Sequence, residues 1–166
     1  EIYGKATGCS KGRGGSMHLS DQAVNVTTTS IVGGSLPLAV GVAFGMKMQK
    51  KENISVAFIG DGTVEEGVFH ESLNFASMRK LPVLFVCENN GLAICTPLSK
   101  RQAQRGIHKL AEAHGIKAYR ANGNDVLEVY TTVKKAVEHI KAGNGPVFLE
   151  FLTYRWLEHC GPNYDF

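Results

Sequence analysis

Two short polar turns stand at the ends of apolar runs and offer oxygen atoms of the kind a hard cation takes. The first is Gly60-Asp61-Gly62, directly after the run 54–59. The second is Asn89-Asn90-Gly91, after the run 83–87. A short apolar run closed by turn residues reads as a buried strand, and one strand-helix-strand unit separates Asp61 from Asn90. On adjacent parallel strands a carboxylate and an amide carbonyl would meet at the carboxyl ends, where open parallel sheets bind ligands. That pair is a partial shell for Mg²⁺, which keeps about six oxygens and shares them with phosphate and water. Gly62 lets an anion approach the backbone. Thr63-Val64-Glu65-Glu66 has the pattern of a capping box, so the helix behind it would offer free amides and the positive end of its dipole. The combination fits a diphosphate bridged to the chain by a metal. Taken singly, each turn is an ordinary connection; their position on successive strands gives them weight.

The elements that must position these turns follow from the pattern on either side. Residues 1–30 have little periodicity and much Gly, Ser and Thr, and read as an ordered loop or functional arm. A helix over 36–50 follows, capped by Ser35 with Pro37 in its first turn; its apolar content on nearly all sides predicts burial. The capping box opens a helix that runs to about Arg79, and Pro82 blocks its continuation. A helix over 107–114 stops at Gly115, and a strand covers 117–121. Val126, Val129, Tyr130, Val133, Val137 and Ile140 then mark one helical face before a last strand over 147–153. The alternation predicts an α/β fold: a single domain over 1–166, a parallel sheet flanked by helices.

Composition excludes several classes. The chain has 166 residues, enough for one core, and is 43% apolar and 20% charged, as globular chains are. A net charge of +3, dispersed along the chain, gives no footprint for nucleic acid. No apolar run approaches the ~20 residues of a membrane helix, and no signal peptide opens the chain. Cys9, Cys87, Cys95 and Cys160 form no Cys-x-x-Cys pair and read as free thiols in a reducing cytoplasm. His18 follows a Gly-rich loop and could lie near the site. His70 has no evident role, and His108, His114 and His139 read as solvated helix residues. Glu65 and Glu66 read as helix-start acids rather than catalysts.

Gly60-Asp61-Gly62 followed by Asn90 resembles the thiamin-diphosphate signature. A wider set is similar to the alpha subunit of pyruvate, branched-chain 2-oxo acid and acetoin dehydrogenases. It comprises Glu66-Gly67, Leu73-Asn74, Leu81-Pro82-Val83 and Glu88-Asn89-Asn90, with Arg13 through His18, Ile31-Val32-Gly33, Pro37-Leu38-Ala39, Tyr154-Arg155 and His159. The resemblance covers nearly the whole chain and implies a thiamin-diphosphate-binding fold, here a fragment of a longer alpha subunit. It also implies a decarboxylating 2-oxo acid dehydrogenase that forms an enamine and passes the acyl group to a lipoyl acceptor. By it, Asp61 and Asn90 are Mg²⁺ ligands and the Leu92 carbonyl a third. The Gly62 and Thr63 amides contact the diphosphate, Ser30 and Val32 present backbone groups to the aminopyrimidine, and Ile94 holds the cofactor bent. His159 acts near the reaction centre. The Glu that activates the pyrimidine lies on a separate beta subunit in that family, which implies an alpha2beta2 assembly and a lipoyl acyltransferase as a further partner.

Some residues depart from the family pattern. Glu158 stands where the family has Gly before the loop histidine. Cys160 stands where complexes regulated by phosphorylation have Ser, and Gly91-Leu92 where Tyr-Gly is frequent. These leave cofactor binding intact and leave the substrate open. Acetoin-type cleavage and a transketolase-like activity remain alternatives within the enzyme class, and a non-catalytic diphosphate-binding assembly partner outside it. A Rossmann-type dinucleotide protein is disfavoured because no Gly-x-Gly-x-x-Gly follows the first strand.

Overall fold

The structure is a computed structural model that describes residues 1–161, 163 and 164. In chain order its elements are β1 (Ser20–Asp21), β2 (Val26–Thr27), α1 (Ser35–Met48), β3 (Ser55–Gly60), a 3₁₀ turn (Asp61–Glu65), α2 (Gly67–Met78), β4 (Val83–Asn89), β5 (Leu92–Ala93), β6 (Thr96–Pro97), α3 (Leu98–Arg101), α4 (His108–Ala113), β7 (Lys117–Asn122), α5 (Val126–Lys141) and β8 (Val147–Leu152). β3, β4, β8 and β7, in that spatial order, form one sheet, and every pairing in it is parallel. The expected α/β architecture is therefore present, with each long strand within a residue or two of its predicted span. β1 and β2 pair antiparallel in the irregular arm before α1.

Two apolar layers hold the sheet. On one face α1, α2 and α4, with Ile107 just before α4, deliver Leu36, Val40, Phe69, Leu73, Ile107 and Ala111 onto β3, β4 and β8. On the other, α5 alone delivers Ala136 and Ile140 onto Leu84, Val86, Leu149 and Phe151. β4 is buried on both faces, as a central parallel strand should be. β3 differs from the buried strand expected over 54–59. Ala57 and Ile59 point to the three-helix face and are buried, whereas Val56 and Phe58 alternate to the other side and are exposed. A helix is about 10 Å across and strands sit about 4.8 Å apart, so α5 alone cannot cover all four strands. β3, at the edge, is left out.

Other local expectations are corrected. Ser35 is the first helical residue, not the cap; Gly34 occupies that place, and no side chain caps the helix. α1 is buried only along Leu36, Ala39, Val40 and Ala43, while Leu38, Val42 and Met48 on its outer side face solvent. The capping box does not form. Residues 61–65 tighten into the 3₁₀ turn, Glu66 goes extended, and α2 begins only at Gly67 with no side-chain cap. Thr63 contributes its backbone carbonyl to the Glu66 amide instead. Val126 and Tyr130 are exposed, so the inner face of α5 begins at Val129. Gly115 stops α4 in the left-handed conformation, at φ +70°. Among the described residues no helix is long and apolar enough to cross a membrane.

Candidate cofactor-binding site

The register of the sheet determines what meets at its carboxyl edge. Gly60 of β3 pairs with Glu88 of β4, so Asp61 and the Asn89-Asn90 pair leave adjacent strands side by side. Asp61 is 1% exposed. The Asn89 side-chain carbonyl accepts the Gly91 amide at 3.0 Å, and that of Asn90 accepts the Leu92 amide at 2.9 Å. These two Asx turns, with Gly91 at φ +78°, fold the chain back so that β5 packs against the 3₁₀ turn. Gly62 lies there against Ala93: a Cβ on Gly62 would come within 2.9 Å of the Ala93 methyl. Any side chain at 62 would close this approach.

Ile94 sits at the tip of the β5–β6 hairpin at φ +53°, a conformation that is costly for a β-branched side chain. Its side chain is exposed. Its carbonyl accepts a hydrogen bond from the Arg155 guanidinium at 2.7 Å, which ties the segment after β8 to this hairpin. Tyr154 packs edge-on against Trp156 in that segment.

Below the two turns lies a buried charge that sequence reasoning did not single out. Glu150 of β8 is 1% exposed. One oxygen accepts Asn89 Nδ2 at 2.8 Å; the other accepts the His108 amide at 3.0 Å and meets His108 Nδ1 at 2.7 Å. Burial pushes this carboxyl up. The His108 amide and ring, Asn89 and the Arg120 charge together outweigh burial and hold it below the usual glutamate range. The available signal was an acid in the apolar run 147–152. His108 is thus part of this buried network and not a solvated helix residue. His114 is hydrogen-bonded to His70 at 3.1 Å, and its pKa is lowered by burial and by that neighbour.

A second group that was missed stands at Asp61 itself. The Arg101 guanidinium, at the end of α3, pairs with the Asp61 carboxylate and with Glu65, and donates from Nε to the Thr96 carbonyl at 3.0 Å. Gln102 Nε2 donates to Glu65 at 2.8 Å and to the Asp61 carbonyl at 3.2 Å. Nothing in the sequence ties these two residues to Asp61, since they lie in a stretch without periodicity.

The remaining predicted residues stand apart. The Ser30 hydroxyl is paired with His18 Nε2 at 2.9 Å. Ser30, Val32 and His159 are exposed. Among the described residues no hydrogen bond joins them to the Asp61 group. Of the expected Gly161-Pro162 turn, Pro162 lies outside the described residues.

The donors at the sheet edge suit a hard cation. Asp61 supplies a carboxylate, and Asn90 Oδ1 accepts one hydrogen bond and keeps its second lone pair. The Leu92 carbonyl lies in the same turn. Among the described residues no group of three or more His, Cys, Asp or Glu could hold a metal.

Fold and site together define a parallel α/β domain whose carboxyl edge carries an acid and an amide directly after neighbouring strands. The chain belongs to the dehydrogenase E1 component family, whose model matches residues 1–162. It is 42% identical, over 96% of its length and 48% of the relative, to the alpha subunit of an acetoin:2,6-dichlorophenolindophenol oxidoreductase from Bacillus subtilis. It is 40% identical to a pyruvate dehydrogenase E1 alpha subunit from Rickettsia bellii, over 96% of this chain and 49% of that one. It is also 40% identical to a mitochondrial 2-oxoisovalerate dehydrogenase alpha subunit from Arabidopsis thaliana, over 96% and 34%. A solved structure described as a thiamin-diphosphate-dependent enzyme from Mycobacterium smegmatis superposes with a TM-score of 0.59 at 25% identity, covering 79% of this chain and 24% of that one. The chain spans about half the length of the first two relatives.

Proposed function

We propose that this chain is the diphosphate-binding part of a thiamin-diphosphate- and Mg²⁺-dependent 2-oxo acid dehydrogenase alpha subunit, active with a beta subunit in an alpha2beta2 assembly. The observation that carries this reading is the buried Asp61 carboxylate directly after β3, with Asn90 directly after the adjacent parallel strand β4. Asp61, Asn90 and the Leu92 carbonyl would hold the metal. The Gly62 and Thr63 amides would face the diphosphate, and Ile94 would support the cofactor from below. Ser30 and Val32 would offer backbone groups to the pyrimidine, and His159 would hand a proton to the reacting centre. When bound, thiamin diphosphate supplies an electron sink for the carbanion left by decarboxylation; the chain's part is to anchor and orient. The exposed apolar side chains Leu38 and Val42 on α1 and Val56 and Phe58 on β3 offer a surface that a beta subunit or a further part of the alpha subunit would cover, and a lipoyl acyltransferase is the proposed acyl acceptor. Asp61→Ala should abolish Mg²⁺-dependent thiamin-diphosphate binding in calorimetric titration, because the metal loses its one carboxylate. Equal affinity in the two proteins would remove the assignment. The similarity to the B. subtilis subunit favours a second reading, acetoin-type C–C cleavage. Turnover of acetoin but not pyruvate by the reconstituted complex would select it.

A further inference from the structure

The Asp61 carboxylate, the anchor of the proposed metal, already holds a positive charge from the chain itself. The Arg101 side chain is 9% exposed and bridges Asp61 and Glu65, with its Nε fixed on the Thr96 carbonyl. The guanidinium also overhangs Gly62: its Nη1 lies 3.8 Å from where a Cβ on that glycine would be. One cation thus covers both the metal's anchor and the backbone that an anion would approach. The arrangement leaves a polar atom unpaid. Gln102 Oε1 is buried and has no hydrogen-bond partner among the described residues, although its Nε2 serves both Glu65 and Asp61.

We propose that Arg101 is a built-in counter-ion that guards Asp61. It neutralises the carboxylate in the cofactor-free protein, must release it when the metal enters, and then lends its charge to the diphosphate above Gly62. A bare divalent ion has to displace the guanidinium and gains little. An ion arriving with a diphosphate leaves the guanidinium a new partner. Arg101 therefore couples metal and cofactor entry, so that each favours the other. Glu65 supports the exchange: it gives the guanidinium a second carboxylate within reach throughout, so the charge is never stranded.

This inference rests on the proposed metal role of Asp61, and the experiment separates the two. In the full chain with its partner subunit, stripped by chelator, Mn²⁺ affinity is measured without cofactor, and thiamin-diphosphate affinity at saturating Mn²⁺. Arg101→Met should tighten Mn²⁺ alone by about tenfold, the scale of one charge-assisted hydrogen bond, and weaken the cofactor. Arg101→Lys, which keeps a charge but cannot span both carboxylates, should fall between. A merely structural role would move both affinities the same way. Wild-type or weaker Mn²⁺ binding by both variants overturns the guard, provided Asp61→Asn loses Mn²⁺. If Asp61→Asn binds Mn²⁺ like wild type, the metal reading fails first and the guard with it.

Discussion

Glu150 lies on β8 between Leu149 and Phe151, yet both of its oxygens are fully engaged, by Asn89 on one side and His108 on the other. Asn89 in turn holds the Gly91 amide, so the carboxylate sets the turn that presents Asn90 without reaching the site. Glu150→Ala would leave the Asn89 amide and the His108 N–H without a partner, and should cost about 3 kcal/mol of stability in urea unfolding. The loss should depend on pH in a defined direction. Because the folded pKa is depressed, the carboxylate's contribution is complete above the unfolded glutamate pKa of about 4.3. It is lost as pH falls below that value through the folded one, so the gap between wild type and mutant should narrow in acid. At this scale the positions of Asp61 and Asn90, just past the ends of adjacent strands, were legible in the sequence, because glycines and turns mark where strands stop. Arg101 and Glu150 were not legible. Their partners are 40 and 61 positions away, brought close only by a loop fold and by strand order.

The helices show a different limit. Capping patterns read from residue types placed caps at Ser35 and Thr63, and neither forms. At Ser35 the turn Ile31–Gly34 already closes on backbone hydrogen bonds and delivers the chain into the helix one residue early. At Thr63 the demand to bury Val64 and to seat Gly62 against Ala93 overrides the box. A cap that does form went unread. Asp125 accepts the Leu127 and Glu128 amides at 2.9 and 3.2 Å at the start of α5. Its signal, an Asp before an apolar-periodic stretch, was present but obscured by Gly123-Asn124. Because α5 alone covers one face of the sheet, its start matters to the whole. Asp125→Ala should lower stability by about 1 kcal/mol, read as a shifted denaturant midpoint with unchanged slope.

At the scale of the molecule, parallel direction followed from alternation, because parallel neighbours need crossover helices; the order β3-β4-β8-β7, with the last strand inserted between β4 and β7, did not. Which faces stay uncovered did not follow. The apolar surround of α1 predicted burial, and within this chain its outer side, with Val56 and Phe58 of β3, is open. Composition records that a surface is to be covered, not whether the same chain covers it. The described cysteines share out differently across this architecture. Cys9, Cys95 and Cys160 are exposed, whereas Cys87 lies mid-sheet on β4 with no exposed surface. Its thiol is pushed far up by burial, and further by the Glu150, Asp61 and Glu88 charges. A thiolate is what reacts with disulfide reagents, so Cys87 should stay silent while the sheet is closed. Mixed with such a reagent, the protein should release three equivalents of chromophore quickly and the fourth only at the rate at which β4 opens. A fourth equivalent as fast as the others would mean the sheet centre is not closed. The chain thus carries its own stopwatch, a single atom whose colour change times the opening of its most deeply held strand.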